Sequence, residues 1–355
     1  MAKNNNSKGV GSYRRRLRLE TKAMKRIGNL YDRIYALDNL YLAYDKAKSG
    51  KSKTYGVIHF EKGLEDNMLQ IQAELKDETY RTSEYDIFTI HDPKEREIYR
   101  LPFRDRIVQH AIMNILEGIW TSVLISHTYS CIKGKGIHGA LRHIRRDLRV
   151  QNETEYCLKM DIRKFYPSIN HDVMKAIIRK KIKDIRLLRL LDGIIDSAPG
   201  VPIGNYLSQF LANLYLSYFD HWLKEAKKVK YYYRYADDLV ILAESKEELH
   251  QLRQDIQAYL SNNLKLDLKK NYQVFPVESR GLDFIGYVFY HTHILLRKRI
   301  KKNFCRCVAK LNKKVLSAKE YKIKICSWIG WCKYCNSKNL IKTIIKNEEV
   351  LRAWR

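Results

Sequence analysis

The chain has 355 residues, 45% of them hydrophobic, and carries 67 Lys and Arg against 39 Asp and Glu, a formal net charge of +28. This charge favours a polyanionic partner, most simply nucleic acid. No apolar run approaches the length of a bilayer span, and residues 1–10 lack the apolar core of a signal peptide. We therefore expect a cytoplasmic protein without a membrane partner.

The seven cysteines are expected to be free thiols, because their number is odd and no signal peptide precedes them. The pairs Cys305-x-Cys307 and Cys332-x-x-Cys335 would permit a zinc site. Their irregular spacing favours packing in a core instead.

The chain begins with a basic arm and continues as helices. Residues 1–20 are polar and include the run Tyr13–Arg18, which predicts an arm that is disordered or lies along nucleic acid. Apolar residues then recur every three or four positions over residues 30–51 and again from Leu64 to Leu75. This spacing predicts two helices, each with one buried face.

A hairpin with basic side chains follows. Residues 85–91 alternate as a strand, Asp92-Pro93 starts a turn, and residues 97–101 return as the partner strand. Side chains that can pair with phosphate oxygens lie in and just after this hairpin: Lys94, Arg96, Arg100, Arg104 and Arg106. The alternative for any one of them is a solvated strand face.

Residues 107–124 are predicted as a buried helix, and a loop rich in glycine and lysine comes next. The loop carries Lys133 and Lys135, but it lacks the GxxxxGK[ST] spacing of a P-loop. Because it precedes a basic helix, it is expected to contact a template backbone. His138 is expected to be structural.

Aspartates are predicted at the end of one strand and in the turn between two later strands. Residues 155–162 read as a strand ending on Asp161, and residues 231–242 read as two strands joined by a turn that carries Asp237 and Asp238. Two strands that deliver carboxylates to one point form the arrangement that two-metal phosphoryl transfer needs, and hard oxygen ligands suit Mg²⁺. The alternative is a solvated Asp-Asp turn.

A glycine-containing loop lies between these two acidic sites in the chain. It runs from Gly200 to Gln209 and leads into an apolar helix over residues 210–222. Its glycines allow a close approach of the backbone, for which a nucleotide is a candidate. Helices are also predicted over residues 169–196 and 247–260.

The order of these three segments resembles that in reverse transcriptases. Tyr235-Ala236-Asp237-Asp238 matches their YxDD box, and Asp161 with Tyr166 matches their first palm motif. The resemblance runs from about residue 30 to residue 355. It implies an α+β right-hand polymerase with a basic N-terminal extension (1–29), fingers (30–155 with part of 168–200), a palm with an antiparallel sheet (156–280) and a helical thumb (281–355).

The resemblance also implies roles for individual residues. Two Mg²⁺ ions would be held by Asp161, the Ile162 carbonyl, Asp237 and Asp238, and Lys270 would protonate the departing pyrophosphate, with Lys269 as its rival. The incoming nucleotide would contact Lys94, Arg96, Phe165, Tyr166, Ile203, Gly204 and Gln209, with Tyr166 as the steric gate against ribonucleotides. Template and primer would contact Lys133, Lys135, Tyr235, Gly286, Arg297, Lys298, Arg299 and Lys302.

The finer pattern resembles the reverse transcriptases of diversity-generating retroelements. The segments that carry it are Ile203–Gln209, where related enzymes have Gln-Gly…Ser-Pro, together with Thr128–Gly136, Thr292–Lys298 and Ser327-Trp328. In that family the enzyme copies a template-repeat RNA with errors opposite adenine and works with an oligomeric basic accessory protein. A retron-like or phage-defence reverse transcriptase is the alternative enzyme. A non-catalytic RNA-binding protein on the polymerase scaffold is the alternative from another class.

Overall fold

The computed structural model describes residues 26–91 and 95–352. The basic arm, Lys94 and the predicted Asp92-Pro93 turn lie outside the described residues. Two compact units divide the chain: one contains the residues up to Ser122 with Tyr166–Tyr215, and the other contains Val123–Phe165 with the residues from Leu216 onward. No helix in the described ranges is long and apolar enough to cross a membrane.

The first unit is helical apart from one hairpin. Its helices are Tyr31–Ile34, Leu37–Lys48, Tyr55–Glu61, Leu64–Lys76, Phe103–Thr121, His171–Lys181, Ile185–Ile195 and Tyr206–Tyr215, and a short helix, Phe165–Ser168, contains the boundary between the units. Strands β1 (Asp86–Ile90) and β2 (Arg96–Arg100) pair antiparallel, as the sequence predicts, with Asp86 opposite Arg100.

Two of the long predicted helices are interrupted. The helix expected over residues 30–51 breaks between Ile34 and Leu37, and the helix expected over residues 169–196 breaks before Ile185. Asp184 caps the second of these breaks and also the start of the helix Tyr31–Ile34. One carboxylate oxygen accepts the amide of Leu187, and the other accepts the amides of Leu30 and Tyr31. One capping side chain therefore serves the N-termini of two helices.

The second unit is built on a four-stranded antiparallel sheet. The order is β4 (Tyr231–Tyr235), β5 (Asp238–Ala243), β3 (Tyr156–Asp161) and β6 (Gln273–Pro276). A second antiparallel sheet contains β7 (Leu282–Phe284), β8 (Tyr287–Phe289) and β9 (Ile294–Leu296). The predicted α+β class with an antiparallel sheet is confirmed.

The helices of this unit cover the sheets. They are Gly136–Asp147, Ser217–His221, Lys246–Leu264, Val277–Arg280, Lys298–Leu311, Ala318–Cys332, Lys338–Ile344 and Glu348–Arg352, with a 3-10 turn at Gln151–Glu153 and a π-helical turn at Trp222–Ala226. One apolar core joins Tyr233 and Val240 of the first sheet, Phe284 of the second, and Phe304 of a C-terminal helix. The region predicted as a helical thumb therefore begins with the second sheet.

The units do not follow the predicted domain boundaries. Residues 123–155 belong with the sheets, and residues 201–215 belong with the helical unit. The division into fingers, palm and thumb stays a prediction.

Candidate active site

The register of the sheet brings the three predicted aspartates together. Asp161 is the last residue of β3, and its direct cross-strand partner is Asp238, the first residue of β5. The Ile162 amide donates to the carbonyl of Asp237 at 3.3 Å. One end of the antiparallel sheet therefore presents all three carboxylates, as the sequence predicts.

The turn between β4 and β5 is tight. Tyr235 is paired with Asp238, so only Ala236 and Asp237 lie between the paired residues. Ala236 has φ +55°, in the left-handed region that residues with a side chain rarely adopt. Holding this turn closed requires contacts from the surrounding protein.

Burial and neighbouring charge raise the pKa of two of the three carboxylates. Burial, followed by the charge of Asp161, raises the pKa of Asp237 to about 6. Burial also raises the pKa of Asp238, where Lys159 opposes the shift and Asp161 adds to it. Crowded carboxylates in a half-buried site favour a bound cation, because a cation relieves their repulsion.

Lys269 supplies a positive charge at this site. Its Nζ lies 2.6 Å from Asp161 Oδ1, an ion pair without hydrogen-bond geometry. The contact follows from the backbone: Ile162 and Leu268 form an antiparallel bridge, and the Lys269 amide donates to the Asp161 carbonyl at 2.9 Å. Lys270, the predicted catalytic lysine, is exposed on the same segment.

The donor chemistry of the three aspartates fits a divalent cation. Carboxylate oxygens are the ligands that Mg²⁺ prefers. Burial and the charge of Asp161 raise the pKa of Asp237, and a bound cation would oppose both effects. Within residues 26–91 and 95–352, no group of three or more His, Cys, Asp or Glu forms a ready-made metal cluster. Lys269 pairs with Asp161, and Cys305, Cys307, Cys332 and Cys335 are free thiols.

The glycine loop lies in the first unit and is fastened there by its backbone. The Ile203 carbonyl accepts the amide of Tyr99, in β2, at 2.8 Å. A Cβ on Gly204, which has φ +123°, would lie 2.8 Å from the Tyr99 carbonyl oxygen. A Cβ on Gly200 would lie 2.4 Å from the carbonyl oxygen of Tyr166. These glycines therefore allow close approach to the protein's own backbone, a reason that the sequence interpretation did not give.

A second contact fastens the same loop. The buried Asn205 donates from Nδ2 to the Tyr85 hydroxyl at 3.3 Å, and that hydroxyl also pairs with Ser197 at 2.8 Å. Sequence reasoning missed both partners, which lie outside the loop in the chain. The loop is thereby attached to the residue that precedes β1 and to the strand β2.

The other residues predicted to contact the nucleotide range from exposed to fully buried. Arg96 begins β2 opposite Ile90 and is exposed, Gln209 is exposed, and Ile203 and Tyr166 are half-buried. Phe165 is only 2% exposed, so its side chain packs in the interior.

The predicted template and primer contacts divide into exposed and structural residues. Lys133, Lys298, Arg299 and Lys302 are exposed. Lys135 donates to the Ser126 carbonyl at 2.9 Å, and Arg297 pairs with Asp283 at 2.5 Å. Gly286 has φ +91°, and a Cβ there would lie 2.5 Å from the Trp331 ring, so packing explains this glycine. Tyr235 is half-buried, and His138, expected to be structural, stacks on Tyr334 at 3.9 Å.

One buried ion pair lies beside the turn at Ala236 and was not predicted. Arg234, in β4, and Asp220, in the helix Ser217–His221, are both fully buried and meet at 2.6 Å. The only sequence signal was an arginine inside an otherwise apolar and aromatic strand.

Comparison with protein-family models matches residues 91–289 to the reverse transcriptase (RNA-dependent DNA polymerase) family. The chain belongs to this family. The right-hand polymerase fold expected from the sequence is consistent with that membership. The carboxylates at Asp161, Asp237 and Asp238 and the loop at Ile203 all lie within the matched residues.

Curated relatives within this family are distant in sequence. Protein YkfC from Escherichia coli K12 is 27% identical over 251 residues, which cover 58% of this chain and 64% of YkfC. The group II intron-encoded protein LtrA from Lactococcus lactis subsp. cremoris is 22% identical over 353 residues, which cover 76% of this chain and 58% of LtrA. The chain thus spans less than two thirds of either relative's length.

Among solved structures, apo telomerase from Candida Tropicalis is similar with a TM-score of 0.48 at 12% identity. The match covers 63% of this chain and 52% of the telomerase chain.

Proposed function

We propose that this protein is an RNA-directed DNA polymerase whose catalytic centre is formed by Asp161, Asp237 and Asp238. The observation that carries the proposal is the pairing of Asp161 with Asp238 at the end of an antiparallel sheet, in a chain of the reverse transcriptase family. The substrates would be an RNA template, a primer and deoxynucleoside triphosphates, and the product an RNA–DNA duplex.

The three carboxylates would hold two Mg²⁺ ions, with the Ile162 carbonyl as a further oxygen ligand. When bound, the ions would activate the primer 3′-hydroxyl and stabilise the leaving pyrophosphate. The raised pKa values of Asp237 and Asp238 support this assignment, because burial and the charge of Asp161 raise them and a bound cation would offset both effects.

We assign the proton donor for the departing pyrophosphate to Lys269 rather than to Lys270. Its ammonium group already lies at the carboxylates, while Lys270 is exposed. A lysine that leaves Asp161 when a cation binds would be available as a general acid beside the reacting phosphates.

The resemblance supports three further roles: the loop at Ile203 would contact the nucleotide, Tyr166 would exclude the ribose 2′-hydroxyl, and Arg96 would bind the triphosphate. The exposed residues at the start of the helix Lys298–Leu311 would follow the duplex backbone, because they form a basic stripe that begins at Lys298 and includes Arg299 and Lys302.

We further propose that the enzyme belongs to a diversity-generating retroelement and copies a template-repeat RNA with errors opposite adenine. Support comes from the segment Ile203–Gln209, in which an apolar side chain stands where accurate relatives have a glutamine amide. Fewer polar constraints on the forming base pair reduce the penalty for a mismatch. An oligomeric basic accessory protein would be the partner.

The test is cDNA synthesis by the purified protein on a defined RNA with Mg²⁺, compared with Asp237→Asn. Metal-dependent product that disappears in the variant supports the polymerase, and errors concentrated opposite adenine support the retroelement subfamily. Uniformly low errors would favour a retron-like or defence enzyme. No product, even with cognate RNA and accessory protein, would favour a non-catalytic RNA-binding protein.

A further inference from the structure

A fully buried polar network lies on one face of β4. Arg234 donates from Nε to both carboxylate oxygens of Asp220, at 2.9 and 3.0 Å, and from Nη2 to Oδ2 at 2.6 Å. The Tyr232 hydroxyl donates to the same carboxylate at 2.7 Å. Arg234 and Asp220 are 0% exposed, and Tyr232 is 1% exposed.

The network reaches the catalytic turn through one more bond. Arg234 donates from Nη1 to the carbonyl oxygen of Ala236 at 3.3 Å. Ala236 is the left-handed residue of the turn, and the carboxylates of Asp237 and Asp238 follow it directly. The guanidinium therefore joins a helix to the one peptide of the turn whose conformation is strained.

Stability alone is a weak reason for such a network. A buried ion pair gains little over apolar side chains of similar volume, because both charges must leave water. The planar guanidinium differs from apolar side chains in one respect, since it can hold two acceptors at a fixed angle. Here the two acceptors are the Asp220 carboxylate and the Ala236 carbonyl.

We propose that Arg234 is a positioning residue, which together with Asp220 and Tyr232 fixes the Ala236 turn so that Asp237 and Asp238 meet Asp161 in a metal-binding arrangement. The inference rests on the proposed polymerase function for its kinetic readout but not for its metal-binding readout.

The opposite face of the strand offers a matched control. Successive side chains of a strand point to opposite faces, and the Tyr233 hydroxyl donates to Asp147 at 2.5 Å. This bond also joins a tyrosine of β4 to an aspartate of a helix, in a partly buried position, but it does not touch the turn. Tyr233→Phe is therefore expected to leave metal binding and turnover unchanged.

The experiment replaces the network by apolar side chains in the full chain, as Arg234→Met, Asp220→Leu and Tyr232→Phe combined. Mn²⁺ binding is measured by electron paramagnetic resonance, kcat and KM for deoxynucleotide by primer extension, and folding by thermal unfolding. We expect cooperative unfolding to persist while Mn²⁺ affinity and kcat fall about 10- to 100-fold. KM for the deoxynucleotide should change far less.

A second variant keeps the test decisive if the triple variant does not fold. Arg234→Lys retains the charge opposite Asp220, but a single ammonium group lacks the fork that spans both acceptors. It should fold and lose Mn²⁺ affinity in the same direction. Wild-type Mn²⁺ affinity in either folded variant would overturn the inference. A wild-type protein that binds Mn²⁺ but makes no DNA, even with cognate RNA and accessory protein, would instead contradict the proposed function.

Discussion

The turn at Ala236 and the glycine loop are held in place by different means. The turn at Ala236 is fixed by a side chain, the buried guanidinium of Arg234. The loop at Ile203 is fixed largely by its main chain, through the bond to the Tyr99 amide and the close approach of Gly204. A site held by side chains is expected to fail when a polar group is removed, whereas a site held by its backbone should tolerate new side chains except at glycine.

The largest effect on activity should follow from removing the charge of one of the three aspartates. Asp161→Asn is expected to reduce primer extension on the order of a thousandfold, because it removes a metal ligand. It should also lower the pKa of Asp237, which the charge of Asp161 raises. Primer extension and NMR titration of the metal-free protein measure the two effects. Unchanged extension would exclude Asp161 from the catalytic centre.

Lysine substitution should separate the two neighbouring candidates for the general acid. Lys269→Ala is expected to lower kcat about a hundredfold, since a positioned acid contributes that much to proton transfer. The matched Lys270→Ala should stay within about twofold of wild type, because an exposed lysine has no partner to lose. Single-turnover extension measures both. The reverse order of effects would restore the assignment of Lys270.

Acid pH should weaken metal binding at the turn. The folded pKa of Asp237, about 6, lies above the ordinary value, so this carboxyl is protonated below about pH 6 in the metal-free protein. Mn²⁺ affinity should then fall roughly tenfold per pH unit below that value, because binding releases the proton. Because the folded pKa lies above the unfolded one, protonated Asp237 contributes to the free energy of unfolding of the metal-free protein at low pH. This contribution is lost as pH rises from about 4 to 6. Affinity independent of pH from 5 to 7 would contradict this assignment.

A side chain at Gly204 should disturb the backbone-held loop. Gly204→Ala is expected to cost about 1–3 kcal/mol in the free energy of unfolding and to raise KM for the nucleotide, because of the left-handed φ and the Tyr99 carbonyl. Gly118→Ala is the control in the same unit, since its Cβ would meet no atom within 4 Å. In a helix that change should stabilise by about 0.5–1 kcal/mol. Urea unfolding of the two variants tests the contrast.

The smallest effect on the fold should come from Ile203→Gln. The half-buried side chain can change while the carbonyl keeps its bond to Tyr99, so unfolding should shift by no more than about 0.5 kcal/mol. We expect the error rate opposite template adenines to fall severalfold, because the amide restores a polar constraint on the base pair. Sequencing of cDNA measures this rate, and equal error spectra would reject the assignment.

The sequence predicted the carboxylate cluster because each aspartate ends or begins a strongly patterned strand. It did not predict the partner of Arg234, since Asp220 lies 14 residues earlier in a stretch whose apolar pattern indicates only helix packing. It also could not choose between Lys269 and Lys270. Neighbouring residues of an extended segment point to opposite sides, and only the bridge between Ile162 and Leu268 decides which side faces Asp161.

The sequence predicted most of the helices and strands, but it did not predict the breaks within the two long helices. The helix starts at Tyr31 and Ile185 share one carboxylate, that of Asp184, which caps two helices far apart in the chain. The glycines of the loop at Gly200 and Gly204 were recognised as permitting a close approach, but the approaching group is the backbone of Tyr166 and Tyr99. Long-range contacts of this kind leave no periodic pattern in a single sequence.

The main-chain bond between Tyr99 and Ile203 also bears on how such an enzyme evolves. A loop whose shape does not depend on the side chain at position 203 can exchange that side chain by single mutations without a stability penalty. If this side chain governs copying accuracy, selection can adjust the mutation rate of the product separately from the speed of its synthesis. Substitutions at position 203 would then change the copying accuracy of the enzyme while its fold stays the same.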